Sequence, residues 1–175
     1  MDSRSVRTSP LPSSLALADP RLYLVTCALV LGNVLLPWAL HRIPDGGRSF
    51  LPILFFTLVA GWRFGARAGV LTGLLSPLAN HLLTGMPPAA LLQGLVLQSV
   101  LLGLLAGWAC SRRPTLPALA ALVLVHQALC LLPVALQSGL GGAAQILRLH
   151  LPAILLQVLG GAGVLRLLRR PSHGA

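Results

Sequence analysis

From Gly46 to Ala175 the chain contains neither Asp nor Glu, although five long apolar stretches fill most of that distance. Its only acids are Asp2, Asp19 and Asp45, so the apolar body that follows has no carboxylate at all. Metal-assisted phosphoryl transfer needs Asp or Glu to hold Mg²⁺. Proton- and sodium-driven carriers generally rest on ionisable groups inside the membrane, carboxylates above all. A chain built this way can recognise a molecule, but it has little with which to power its movement or transform it. Catalytic residues, cofactors and metals are therefore not expected, and the chain reads as a non-enzyme.

Composition gives the solvent. Hydrophobic residues make up 55% and charged residues 9%, where soluble domains carry roughly 25% charged residues. This is the composition of an integral membrane protein in the lipid bilayer, folded as one compact all-α bundle. The net charge of +10 comes entirely from Arg, thirteen of them with no Lys. They lie almost wholly between the apolar runs, which is the placement of topology anchors and not of a phosphate-reading patch, so no nucleic-acid partner is expected. Cys27, Cys110 and Cys130 have no C-x-x-C spacing and read as small hydrophobes.

Six apolar segments follow a Ser-, Pro- and Arg-rich start. They run from about Leu22 to Leu40, Phe50 to Trp62, Gly65 to Leu83, Ala89 to Cys110, Leu116 to Gln137 and Ile146 to Leu168. A helix needs about 20 residues to cross a bilayer core, so five segments qualify and the second is short or must borrow flanking residues. Ten Arg fall on one side of the implied topology, among them Arg21, Arg63, Arg67, Arg112, Arg113 and Arg166, against Arg42, Arg48 and Arg148 on the other. The positive-inside rule then puts both termini in the cytoplasm. The expected division is a flexible cytoplasmic tail over 1–20, a six-helix transmembrane domain over 21–169, and a cytoplasmic tail over 170–175.

Small residues recur at helix-packing spacing. Gly65, Gly69 and Gly73 form two overlapping G-x-x-x-G steps, Ala28 and Gly32 one small-xxx-small step, and Gly160, Gly161 and Gly163 crowd the last segment. Either the bundle packs on these faces, or one of them docks another membrane subunit.

Polar side chains are costly in lipid unless they face protein or a cavity, so their positions map candidate sites. The third segment ends in Ser76, Pro77, Asn80 and His81, and Asn80 extends the glycine face. The sixth contributes Gln145, Arg148, His150 and Gln157, with His150 and Gln157 sharing a face. The fifth carries His126, Cys130, Pro133 and Gln137 as one stripe. The connection from His41 to Arg48 is a polar turn long enough to form a lid. Each intramembrane His has an alternative role as a hydrogen-bonded structural residue, and Arg148 can snorkel to the headgroups. His126 and Cys130 at i, i+4 suit a soft metal but lack a third ligand. No G-x-S-x-G, H-E-x-x-H or P-loop is present.

The chain resembles the substrate-binding S component of energy-coupling factor (ECF) transporters, the vitamin-uptake branch of the ATP-binding cassette systems. Within that family it is similar to an uncharacterised subgroup, through Gly32-Asn33-Val34-Leu35-Leu36-Pro37, Ile43-Pro44-Asp45-Gly46-Gly47 and Leu51-Pro52-Ile53-Leu54-Phe55-Phe56-Thr57-Leu58. The match continues through Leu75-Ser76-Pro77-Leu78-Ala79-Asn80, Gly85-Met86-Pro87-Pro88 and Leu155-Leu156-Gln157-Val158-Leu159-Gly160-Gly161, spanning about Asp19 to Leu168. It departs at His81, where the subgroup has a small residue, and at Gln98-Ser99, where a Lys precedes the Ser. The resemblance implies a multi-pass protein of the bacterial cytoplasmic (inner) membrane that binds a vitamin-like small molecule from outside. It implies docking through Ala28 and Gly32 onto a T component driven by two ATP-binding subunits. It also implies substrate contacts from Asn80, His81, Arg148, His150, Gln157, Asn33 and His41. Two alternatives stay open: a structural or assembly subunit with no ligand, and a solitary cobalamin importer using His81 or Cys130 on cobalt. A membrane enzyme with His126 or His150 as base comes last, for want of a nucleophile or an acid.

Overall fold

An apolar run in lipid must satisfy its backbone internally, and helix is the local solution. The computed structural model describes residues 15–40, 51–109 and 114–168, and every regular element among them is helical. Helix α1 covers Pro20–Leu40, a 3₁₀ turn Pro52–Leu54 leads into α2 at Phe55–Phe64, α3 covers Ala66–Thr84 and α4 Ala89–Trp108. Helix α5 covers Leu116–Leu155, continues through a π-helical segment at Leu156–Gly160, and ends as α6, Gly161–Leu167. Three stretches are long and apolar enough to cross a membrane: Pro20–Pro37, Ala89–Trp108 and Leu116–Leu167. Helix α3 is long enough, but Arg67, Asn80 and His81 dilute its apolar character.

The second segment differs most from its expectation as a short span. Its helix, α2, has ten residues, a length of about 15 Å at 1.5 Å per residue, or half the hydrocarbon thickness. Seven of the ten are buried, from Phe55 through Trp62 with Phe56 excepted. Leu54, Phe55, Leu58, Val59 and Trp62 form the centre of the main core, where Leu102 and Ala106 of α4, Leu119 and Val123 of α5, and Ala162 and Leu165 of α6 meet them. A short helix is tolerable here because protein, not lipid, surrounds it.

Two single glycines reverse the chain. Gly65, at φ 93° and ψ 173°, separates α2 from α3. A Cβ built on Gly69 would lie 2.8 Å from the Cα of Gly61, so residues four before and four after the joint touch. Gly139, at φ 73° and ψ 175°, is the one non-helical residue inside α5. His150 Nδ1 lies 3.3 Å from Gln127 Oε1, although 23 residues of straight helix span about 35 Å. The chain therefore folds back at Gly139 into two antiparallel arms, residues 116–138 and 140–155. The connection expected over 138–145 shrinks to one residue because positive φ, open to glycine without strain, makes the turn at once.

The α3–α4 contact is set by small residues facing one another. Cβ atoms at Gly69 and Gly73 would meet the carbonyls of Gly103 at 2.5 Å and Ser99 at 2.6 Å, and one at Gly107 would run into Ala66. The glycine face of the third segment is therefore used internally, against Ser99-x₃-Gly103-x₃-Gly107, a pattern not singled out in the sequence.

Among the described residues, four of the five arginines lie at one end of the molecule, Arg148 being the exception. Leu15 N donates to Phe64 O at 3.3 Å, Arg67 Nη1 to Leu15 O at 3.5 Å, and Arg63 Nε to Leu168 O at 3.4 Å. The start of α1, the Gly65 joint and the end of α6 therefore lie together, with Arg21 and Arg166 on the adjoining turns. Asp19 caps α1, accepting from Arg21 N at 2.9 Å with Pro20 in the first helical position. Of the tail expected over 1–20, residues 15–19 lie against the helix ends, and residues 1–14 lie outside the described residues.

Candidate functional site

Asn33 organises the interior between α1, α2, α3 and α4. Its Oδ1 accepts from Phe56 N at 3.0 Å, and its Nδ2 donates to Ser76 Oγ at 2.9 Å and Thr57 Oγ1 at 3.3 Å. Its backbone carbonyl accepts from Asn80 Nδ2 at 3.0 Å, which also donates to Ser76 O at 3.0 Å. Thr57 Oγ1 donates to Ile53 O and lies 3.3 Å from Ser99 Oγ. The physical reason is the half-length helix. The first N–H groups of α2 have no partner within the helix and lie inside the protein, out of reach of water. Asn33 supplies the missing acceptor from a neighbouring helix. Both amide hydrogens and the oxygen of Asn33 are thereby engaged, and the network is buried and saturated.

At the end of α3, His81 Nδ1 donates to Pro87 O at 2.8 Å, which leaves the Nε2 lone pair for another group. Thr84 Oγ1 donates to Asn80 O at 2.7 Å and accepts from Met86 N at 3.3 Å. These bonds brace the turn to α4 and hold the half-buried His81 above Asn80.

The third group lies midway along the α5 arms. His126 Nε2 donates to Gln98 O of α4 at 3.0 Å, with Cys130 Sγ 3.4 Å away. Because that nitrogen carries the proton, it cannot also offer a lone pair to a metal beside the sulfur. Among the described residues no group of three His, Cys, Asp or Glu is placed to hold a metal ion. His150 Nδ1 donates to Gln127 Oε1 and couples the arms. Several atoms in this half are buried without a hydrogen-bond partner: His126 Nδ1, Gln127 Nε2, and both Oε1 and Nε2 of Gln157. The three residues are 1%, 2% and 0% exposed.

The residues singled out in the sequence thus divide into separate groups. Asn33 and Asn80 belong to the saturated network, and His81 lies one residue beyond Asn80 at its edge. His150 and Gln157 lie on the inward face of the C-terminal arm, while Arg148 is exposed. His41 lies outside the described residues. Ala28 is exposed on α1, whereas a Cβ on Gly32 would meet the Phe56 ring at 2.8 Å, so Gly32 already has an internal neighbour. Gln127 and Thr57 were not anticipated, although Gln127 stands beside His126 in a run otherwise apolar. An outward-facing groove of about 410 Å³ runs past Leu151, Pro152, Leu155, Leu156, Leu159 and Gly160. Its lining is apolar and suits a hydrocarbon chain, not a polar molecule.

No protein-family model, no curated protein and no solved structure matches this chain.

Proposed function

We propose that this chain is the substrate-binding membrane subunit of an ECF-type uptake system, crossing the bacterial cytoplasmic membrane six times with both termini inside. It binds a vitamin-like small molecule from the external side, and a T component with two ATP-binding subunits supplies the energy. The observation that carries this reading is the group of buried, neutral, hydrogen-bonding side chains at mid-depth in α5, in a chain without carboxylates beyond Asp45. Ionisable and strongly polar residues at membrane depth mark functional sites by default. Here they lack the acid needed for ion coupling or catalysis, which leaves binding.

Topology supports the same reading. Arg21, Arg63, Arg67 and Arg166 gather at one end, the cytoplasmic end by the positive-inside rule. The turn with His81 and Pro87 and the reversal at Gly139 then lie toward the outside. Ala28, exposed on α1, is the available part of the docking face for the T component. The test is native mass spectrometry of the detergent-purified protein from cells grown in rich medium. One small molecule bound per chain is expected. A bare chain that stays bare with a panel of vitamins, cobalamin included, would point instead to an assembly subunit.

A further inference from the structure

The unpartnered polar atoms of the α5 hairpin say something about the chemistry of the bound molecule, on the premise that the chain is a receptor. His126 Nε2 gives its hydrogen to Gln98 O, so Nδ1 presents a lone pair, fully buried and unmatched. Gln127 receives its bond from His150 through Oε1, so Nε2 presents N–H donors, also buried and unmatched. His126 and Gln127 are consecutive and both buried, the first facing Gln98 of α4 and the second His150 of the returning arm. Gln157 shares the inward face with His150 and adds a further acceptor and donors, about 10 Å along the arm at 1.5 Å per residue. No charged side chain belongs to this group. Arg148, the nearest cation in sequence, is exposed, and the chain has no carboxylate beyond Asp45.

A buried polar atom without a partner is expensive, and more so where lipid and not water surrounds the protein. Four such atoms, on one imidazole and two amides, lie within residues 116–168, whereas the others among the described residues are the single hydroxyls of Thr26 and Thr72, and this concentration forms a pattern of unfilled positions. We infer that the hairpin reads an uncharged ligand that carries an N–H group beside a carbonyl, as in a lactam, ureide or carboxamide. The N–H meets His126 Nδ1, the carbonyl meets Gln127 Nε2, and Gln157 engages a second polar group at the far end of a molecule about 10 Å long. An ionised ligand is selected against, because the hairpin has no countercharge to offset its desolvation.

The consequence is an inverted stability signature. Replacing an unmatched amide by an apolar side chain of similar volume removes a burial penalty, so Gln157→Met raises the melting temperature of the ligand-free protein by a few degrees, whereas Gln127→Met also gives up the bond from His150 and brings no such gain. Both substitutions remove ligand contacts and lower affinity at least tenfold. A residue whose role is only structural does the opposite on the first count. The experiment measures thermal unfolding of the full-length parent and both variants in detergent, with native mass spectrometry of each after growth in rich medium. Nicotinamide against nicotinate, and uracil against orotate, serve as added probes that differ in charge.

The expected result is raised melting in Gln157→Met, loss of the co-purifying molecule from both variants, and a molecule that is neutral with an amide edge. Lower melting of Gln157→Met, or retention of the molecule at parental affinity, overturns the inference. A bound molecule that is ionised overturns it while leaving the receptor reading intact. No bound molecule, and no thermal shift of the parent with any probe or vitamin, overturns both.

Discussion

The two glycine joints make the same turn in different surroundings, and the contrast divides the molecule. At Gly65 the reversal brings small residues face to face, and α2, α3 and α4 close on one another through Gly61, Gly69, Gly73, Ser99 and Gly103. At Gly139 nothing lies within 4 Å of an added Cβ, and Leu136 and Leu140 beside it are 79% and 84% exposed. The first joint locks a scaffold whose buried Asn side chains are matched in one network, with the hydroxyls of Thr26 and Thr72 left unmatched. The second opens a hairpin with unmatched atoms at His126, Gln127 and Gln157. Close packing and the Asn33 network build the frame, and unmatched amide and imidazole atoms are concentrated in the other part.

The largest effect should come from breaking the frame at its hub. Asn33→Leu removes the acceptor for Phe56 N and the donors to Ser76 and Thr57. With about 1–3 kcal/mol for each buried group left unmatched, a loss of about 4 kcal/mol is expected, read as a melting temperature lowered by about 10 °C in detergent. Next comes Gly103→Ala, which drives a methyl group into the Gly69 carbonyl. Overpacking of this kind costs about 1–3 kcal/mol, and size-exclusion profiles should show reduced recovery of folded protein.

Gly139→Ala meets no steric neighbour, but φ 73° with ψ 175° is a backbone region held almost solely by glycine and costs an L-residue about 1–3 kcal/mol. Thermal unfolding should show a drop of that order, which measures the turn apart from any packing. The smallest change runs the other way. Gly141→Ala lies on an open helical surface and should stabilise by up to about 1 kcal/mol. If it destabilises as much as Gly103→Ala, the hairpin is packed as tightly as the frame and the contrast fails.

Much of the helical layout was legible because hydropathy and Gly spacing are local signals. The starts of α1, α3, α4 and α5 fall within two residues of the sequence reading, and Gly65 stood out for its spacing with Gly69 and Gly73. The half-length of α2 was less legible. Its apolar run reads like lipid-facing sequence, since complete burial in protein and burial in lipid select the same side chains. The network of Asn33 with Thr57, Ser76 and Ser99 was hidden for another reason. Its bonds join residues up to 47 apart, Asn80 to Asn33 being the longest, and single Thr and Ser residues in apolar helices give no periodic signal. Gly139 gave no sign of being the joint because Gly141 and Gly142 stand beside it, and only backbone geometry separates the three.

Hydrogen–deuterium exchange on the full chain in lipid nanodiscs, with and without the molecule that co-purifies from rich medium, tests the division most directly. Slow exchange is expected in α2, α3 and α4 whether or not the molecule is bound. Faster exchange is expected over residues 116–168 when the molecule is absent, falling by tenfold or more when it binds. Equal protection of both halves without ligand, or ligand protection centred on the Asn33 network, would contradict the account.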